Sequence, residues 1–232
     1  MKLDTQTILI IGGTSGFGAA VAVQAAAQGA KVHVIGRNAD RLQIFLASHP
    51  ELTGTALDAT DEAALQAFFT THATFDHLVS MLGGAASGGF LSDRTAIREA
   101  IEGKFFANLQ LAQIASPHLL RSMTFTAGSG GHPNDAAGAI VGNQAIATMV
   151  QGLGVELAPR LRVNVVSPFW TPTGLWRTMP DAQQKQQADA LASSIPLGRV
   201  GTIDEVAAAY LFAMTNTFMT GQVLHIDGGV DL

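Results

Sequence analysis

A chain of 232 residues that is 47% hydrophobic and 13% charged is long enough to bury a large core, and its formal net charge of -5, with 13 scattered Lys and Arg, excludes a nucleic-acid backbone held by a basic stripe. The absence of cysteine excludes disulfides, thiolate metal sites and a cysteine nucleophile. No apolar run reaches the length of a membrane span and Met1 to Thr7 lacks the basic start of a secretory signal, so the expectation is one cytoplasmic domain over residues 1–232.

The first predicted strand, Ile8–Ile11, runs into Gly12-Gly13-Thr14-Ser15-Gly16-Phe17-Gly18 and then into an alanine-rich helix. Glycine lets a backbone approach a pyrophosphate closely, and the exposed N–H groups and dipole at a helix start favour anions. Gly12, Thr14, Ser15, Gly16, Phe17 and Gly18 are therefore read as a phosphate cradle, its strand-to-helix setting carrying more weight than the glycines alone. The second strand, Lys31–Ile35, leads into Gly36-Arg37-Asn38, where an acid would bond the ribose hydroxyls of NAD. No acid is present: Gly36 leaves room for a 2′-phosphate and the Arg37 guanidinium can pair with it, which selects NADP(H), with Arg41 one turn on to assist. The alternative for Arg37 is a solvated end to the strand.

Further strands follow at Gly54–Leu57, His77–Ser80, Met123–Thr126, Arg162–Val166 and Gln222–Ile226, with helical patterns between them. Unbroken apolar strands separated by amphipathic helices imply an α/β fold, a doubly wound, Rossmann-like parallel sheet with helices on both faces. Ligands then sit beyond the carboxyl ends of the strands, so the loops after Ile11, Ile35, Leu57, Ser80, Thr126 and Val166 line the site. From Pro168 to Pro196 the alternation is interrupted by Pro, Thr, Trp and a polar run, Asp181 to Gln187, and residues 168–196 are read as a lid. Trp170 and Trp176 in it are either an apolar substrate wall or subunit-interface anchors. The seven histidines show no pair at metal-ligand spacing on a helix face, and no metal is expected.

These features together resemble the short-chain dehydrogenase/reductase family over nearly the whole chain. Gly12, Gly16 and Gly18 match its Gly-x-x-x-Gly-x-Gly pattern, and Leu57-Asp58-Ala59-Thr60 resembles the segment whose aspartate contacts adenine. Ser80-Met81-Leu82-Gly83 stands at the family's Asn-Asn-Ala-Gly turn with only Gly83 retained. Val163 to Pro168 is similar to the strand before the nicotinamide loop, with Thr173 at the place of a cofactor-contacting threonine. Ile195 to Gly201, Asp204 to Ala207 and Thr220 through Gly229 resemble the family's ending. The resemblance implies that Asp58, Ala59, Gly83, Pro168 and Thr173 join the cradle in holding the cofactor. It also implies a homodimer or homotetramer.

The family's usual catalyst is a Tyr with a Lys four residues later on one helix face. Counting back from Val155 to Pro159 places Ala139 at the Tyr position and Asn143 at the Lys position. The chain's one tyrosine, Tyr210, reads as a packed helix residue. The family serine falls at Thr126 or Ala127, with Ser129 close behind, and counting back from Ser116-Pro117-His118 places Lys104 where the family has a relay Asn. Lys104 follows Ile97 and Ile101 on a stripe continued by Phe105 and Ala112, beside the buried face of its helix. Lys104 and Asn143 are thus expected to meet near the nicotinamide ribose. There Lys104 either exchanges protons, its pKa lowered by desolvation, or binds backbone carbonyls and stiffens the site. His132 in the loop after the fifth strand is a second candidate acid. The function expected is NADPH-dependent hydride transfer to or from a small carbonyl, enone, imine or quinone-like substrate with an atypical proton donor. The alternative is a catalytically silent NADP(H)-binding sensor or structural subunit.

Overall fold

A computed structural model describes residues 3–72, 74–84, 87–173, 176 and 178–232. Seven strands, β1 (Thr7–Ile11), β2 (Lys31–Gly36), β3 (Thr53–Ala56), β4 (Phe75–Ser80), β5 (Leu119–Thr126), β6 (Arg162–Pro168) and β7 (Val223–Ile226), form one parallel sheet in the order β3-β2-β1-β4-β5-β6-β7. The helices are α1 (Gly16–Ala27), α2 (Ala39–Ser48), α3 (Glu62–Thr71), α4 (Arg94–Ile101), α5 (Ala107–Ala115), α6 (Ala137–Glu156), α7 (Asp181–Ala192) and α8 (Ile203–Thr215). A π turn, Glu102–Phe106, joins α4 to α5 without a break.

The continuous apolar strands arise because both faces of the sheet are covered. Along β1 successive side chains point to opposite faces. Leu9 and Ile11 therefore join a core with Leu65, Phe68 and Phe69 of α3, Leu111 of α5 and Ile146 of α6. Ile8 and Ile10 join a second core with Val21 and Ala25 of α1, Leu42 of α2 and Val206, Tyr210 and Met214 of α8. Burying one leucine- or phenylalanine-sized side chain is worth about 1.5–3 kcal/mol, so these two layers, not the helices' own propensities, hold the sheet between them.

Helix starts are set by local chemistry. Asn38, Asp61 and Asp93 accept backbone N–H bonds at the N-termini of α2, α3 and α4. Thr202 and Glu205 form a capping box on α8. Glu205 also takes a two-pronged pair from Arg199 at 2.6 and 2.9 Å; the guanidinium and the Thr202 groups hold its carboxyl down to about 2.

Two differences from the sequence expectation have plain causes. The polar run beginning at Asp181 is helical, α7, and none of its residues is buried, so it shows no apolar stripe to read. Strand β5 begins at Leu119, four residues before the apolar run, because exposed Leu120 and Arg121 precede buried Ser122 and Met123. Gly174, Leu175 and Arg177 of the expected lid lie outside the described residues. No helix among the described residues is long and apolar enough to cross a membrane.

Strand order reverses at β1, which pairs with β2 on one side and β4 on the other. Ile11 lies opposite both Ile35 and Ser80, so the three strands end level. A crevice opens there, beyond the carboxyl ends of the strands.

Candidate active site

The turn from Gly12 to Gly18 leads from β1 into α1 at that end of the sheet. Gly12 has φ +80°, and a Cβ on Gly18 would stand 2.3 Å from the Gly12 carbonyl oxygen. Only glycine lets the first turn of α1 lie this close under the loop. Ser15 is the N-cap of α1, and its side chain makes no capping bond, which leaves the hydroxyl and the first N–H groups of the helix to a ligand. Thr14 and Phe17 are half-buried; Phe17 packs against the core shared by α1 and α8.

Gly36 serves a different purpose from the one expected. A Cβ there would meet Thr14 Cγ2 at 2.7 Å, so the space left by the missing side chain is filled by Thr14 and is not open to a phosphate. Arg37 is exposed. It stands close enough to Asp58 to help lower that carboxyl's pKa, chiefly set by bonds to Asp58 Oδ1 from the Thr60 backbone N–H (3.0 Å) and hydroxyl (2.7 Å). Ala59 is buried in the core beneath α3; it can offer a ligand its backbone.

Lys104 lies in the π turn and is 7% exposed. Its Nζ donates to the Ala127 carbonyl at 3.3 Å. Its stem passes Gly83, where a Cβ would be 3.2 Å from Lys104 Cγ, and Gly142, where one would be 3.4 Å from Lys104 Cβ. Burial alone pushes the ammonium down from 10.5 to about 8. Asn143 on α6 donates Nδ2 to the Gly128 carbonyl at 3.0 Å, and its Oδ1 is buried with no hydrogen-bond partner. Lys104 and Asn143 therefore converge on consecutive carbonyls, those of Ala127 and Gly128. Ala139 lies one turn earlier on α6 and is half-buried.

The structure does not bring the expected hydroxyls to this point. Thr126 Oγ1 bonds the Ser80 carbonyl and the Tyr210 hydroxyl, each at 2.7 Å, and so faces the α8 side of the sheet. Tyr210 is fully buried, and burial pushes its phenol up. Ser129 Oγ turns toward β6 and β7, bonding the Ser167 carbonyl (3.0 Å), the Ser167 hydroxyl (3.0 Å) and His225 Nδ1 (2.9 Å). The side that faces Asn143 belongs to Gly128, whose Cβ would stand 3.0 Å from Nδ2. His132 is exposed.

Pro168 ends β6, and its carbonyl accepts from Ser129 N at 3.0 Å. Thr173 follows on the next loop, its carbonyl accepting from Trp176 N at 2.9 Å. Trp170 and Trp176 lie with ring centroids 5.9 Å apart, and Trp170 Nε1 is buried without a partner. A groove between α3 and α5, lined by Gln66, Phe106 and Gln110, lies on the helical face away from these residues.

Two features escaped the sequence. Asn108, one helical turn after Lys104, is fully buried and bonds Ser80, Leu82 and the Lys104 carbonyl; its i,i+4 spacing from Lys104 was the available signal. Near the C-terminus His225, Asp227 and Asp231 bring ligand-capable atoms within 4.8 Å of one another, a grouping that no helical spacing announces.

Residues 12–231 match the family profile described as enoyl-(acyl carrier protein) reductase. A short-chain dehydrogenase/reductase of Stachybotrys chlorohalonatus is 33% identical over 249 residues, covering 98% of this chain and 97% of that protein. The cis-toluene dihydrodiol dehydrogenase of Pseudomonas putida is 29% identical over 260 residues, covering 99% and 93%. Among solved structures, a small-chain dehydrogenase in complex with NADPH superposes with a TM-score of 0.83 at 31% identity, covering 98% of this chain and 99% of that one. The ligand-free aldohexose dehydrogenase of Thermoplasma acidophilum superposes with a TM-score of 0.87 at 21% identity, covering 99% and 95%, a likeness of fold.

Proposed function

This chain belongs to the short-chain dehydrogenase/reductase family, and from that premise we propose an NADP(H)-dependent oxidoreductase for a small carbonyl, enone, imine or quinone-like substrate, with Lys104 as the proton donor. The observation that carries this reading is the convergence of buried Lys104 and Asn143 on the carbonyls of Ala127 and Gly128. With Ala139 and Asn143 at the family's Tyr and Lys positions, and Gly128 facing Asn143, Lys104 is the titratable side chain at this point.

The residues fit a dinucleotide. The cradle from Gly12 to Gly18 would take the pyrophosphate on backbone N–H groups, with Thr14 and Ser15 hydroxyls beside it. Asp58, Ala59, Gly83, Pro168 and Thr173 would hold the adenine and nicotinamide ends. The orphaned Asn143 Oδ1 is an acceptor that a ribose hydroxyl would satisfy, which favours a polar ligand there over an empty site. Arg37, with no acid at the end of β2, supports the 2′-phosphorylated cofactor, as does the 31% identical relative solved with NADPH. The bound nicotinamide supplies or accepts the hydride.

What the chain adds is position and a proton. Lys104 spends one N–H on the Ala127 carbonyl and keeps the others for an acceptor atom. An ammonium whose pKa burial has brought to about 8 is protonated at neutral pH and gives its proton up readily, as general-acid work near pH 7 requires. Reduction should then fall as pH rises through about 8, and the reverse reaction should rise. Trp170 and Trp176 would give the substrate an apolar wall, with residues 168–196 as its lid within one domain spanning 1–232. Homodimers or homotetramers are supported by apolar side chains left exposed on the helices, Phe106 and Val155 among them.

Stopped-flow oxidation of NADPH against aldehydes, quinones, imines and enones, in the wild type and Lys104→Met, tests the reading. Loss of the proton donor should slow turnover by about 10²–10⁴-fold; intact turnover sinks the role of Lys104. Tight NADPH binding with no oxidation by any acceptor in the wild type would favour the silent binding protein instead.

A further inference from the structure

We infer that Asn108 is a positioning residue: with Ser80 it braces the π turn and so holds Lys104 at the Ala127 carbonyl. The Asn108 side chain makes its hydrogen bonds outside the Gly12–Gly18 turn. Its Oδ1 accepts from Ser80 Oγ at 2.6 Å, and its Nδ2 donates to the carbonyls of Lys104 (2.7 Å) and Leu82 (3.3 Å). The side chain is fully buried, and none of its hydrogen-bonding groups is idle.

The reason lies in the turn. A π turn shifts the helical ladder by one residue and strains the bonds within it, which is why such turns persist where something else compensates. Here the Ala107 N–H is divided between the Glu102 and Lys104 carbonyls. The Asn108 amide gives the Lys104 carbonyl a second bond, at 2.7 Å, and Ser80, the last residue of β4, fixes the amide against the sheet. Without that brace the segment relaxes toward uninterrupted α-helix. Each residue of an α-helix advances about 100° around the axis. Removing the inserted position would therefore swing Lys104 out of the space between Gly83 and Gly142 that its stem now occupies. One observation supports the link between turn and burial: no residue of α4 before the turn is buried, whereas Lys104 in it is.

The surroundings make the effect readable. Among the described residues, the segments packed against Lys104, at Gly83, Ala127 and Gly142, bring it no titratable side chain. Glu102 on its own helix is exposed and pairs with Arg98 at 3.6 Å. The displacement of the ammonium's pKa has burial as its cause, so a Lys104 swung toward water should titrate higher. The catalytic consequence rests on the proton-donor role proposed above; the placement does not.

The test is a titration of the lysine ¹³Cε resonances in the folded protein without ligand. Lys2, Lys31, Lys104 and Lys185 are the lysines of the chain, and Lys104→Met assigns the signal. The wild-type midpoint near 8 should rise by at least about one pH unit in Asn108→Ala. Ser80→Ala, which removes the bond to Asn108 Oδ1 and a 3.3 Å bond from Leu82 N but keeps the amide, should move it the same way by less, and serves if Asn108→Ala does not fold. An unmoved midpoint in a folded variant overturns the inference. NADPH oxidation by 9,10-phenanthrenequinone gives the kinetic arm: Asn108→Ala should slow it about tenfold in the wild type and less than about twofold in a Lys104→Met background. Equal losses in both backgrounds overturn the inference by showing a merely structural role. A shifted midpoint in Asn108→Ala beside full turnover in Lys104→Met keeps the brace and sinks the proton donor.

Discussion

His77 should make the protein sensitive to mild acid. It sits on β4, 1% exposed, with Nε2 2.6 Å from Gln6 Oε1 and Nδ1 2.7 Å from Ser122 Oγ. That pair suits a neutral ring that donates from Nε2 and accepts at Nδ1. Burial lowers its pKa from 6.5 to about 4, and the Arg162 and Arg121 guanidiniums push the same way against the opposing pull of Asp76. The native ring thus stays neutral while the unfolded chain takes up a proton near 6.5. Acidification through that window favours unfolding: the stabilisation is complete above pH 6.5 and is lost as pH falls toward about 4. At about 1.4 kcal/mol per pH unit, His77 should remove about 2–3 kcal/mol of unfolding free energy between pH 7 and 4.5.

Half-buried His33, also lowered to about 4 by burial and by His72, adds a smaller share in the same direction, reduced by solvent screening. The carboxyls of Asp58 and Asp76 are held below their usual value, so they act below this window. The assay is urea unfolding followed by circular dichroism from pH 4.5 to 7.5 at fixed protein concentration. His77→Gln, which retains a polar side chain between Gln6 and Ser122, should be less stable at pH 7 and should lose at least half of the wild-type slope. Parallel wild-type and His77→Gln curves would refute the assignment.

Three further outcomes are expected. In Gly18→Ala the new methyl must displace the Gly12 carbonyl, 2.3 Å from its ideal site; NADPH binding by calorimetry should weaken about tenfold or more with a stability loss of about 1–3 kcal/mol, and an unaltered Kd would remove the cradle from cofactor binding. Arg37→Ala should cut the preference for NADPH over NADH by about 10- to 100-fold, the worth of a charge-assisted phosphate contact; an unchanged ratio of the two affinities rules that contact out. Thr126→Val removes the hydroxyl's bonds to the Tyr210 hydroxyl and the Ser80 carbonyl and should lower unfolding free energy by about 1–3 kcal/mol while turnover stays within about threefold, so a collapse of turnover in a folded variant would return Thr126 to the catalytic group.

The fold was legible because its signals are short-range and redundant. Ile8 to Ile11 must be buried on both sides to be so uniformly apolar, and the alternate residues do divide between two cores. The glycines at 12, 16 and 18 sit where a strand turns into a helix, and the 2.3 Å approach at Gly18 is the contact that spacing implies. Helix α7 was hidden for the converse reason. A helix that buries nothing carries no period in its apolar residues, and its polar run reads as a break.

The site was legible in position and not in orientation. Counting along the chain put Lys104 and Asn143 on facing helices, and the structure joins them at neighbouring carbonyls. Counting cannot say which way a side chain points once a loop differs by a residue, and that ambiguity separated Thr126 and Ala127 from Gly128, the residue that faces Asn143. Nor does any residue type announce a π turn. The stripe from Ile97 through Phe105 placed Lys104 beside the buried face, whereas one inserted residue carries it inside, to 7% exposure. The buried Asn108 amide, four residues on, takes up the Lys104 carbonyl in that turn. Burial of Lys104 thus goes with a change in backbone geometry, and Lys104 and Asn108 are a pair that only the folded chain reveals.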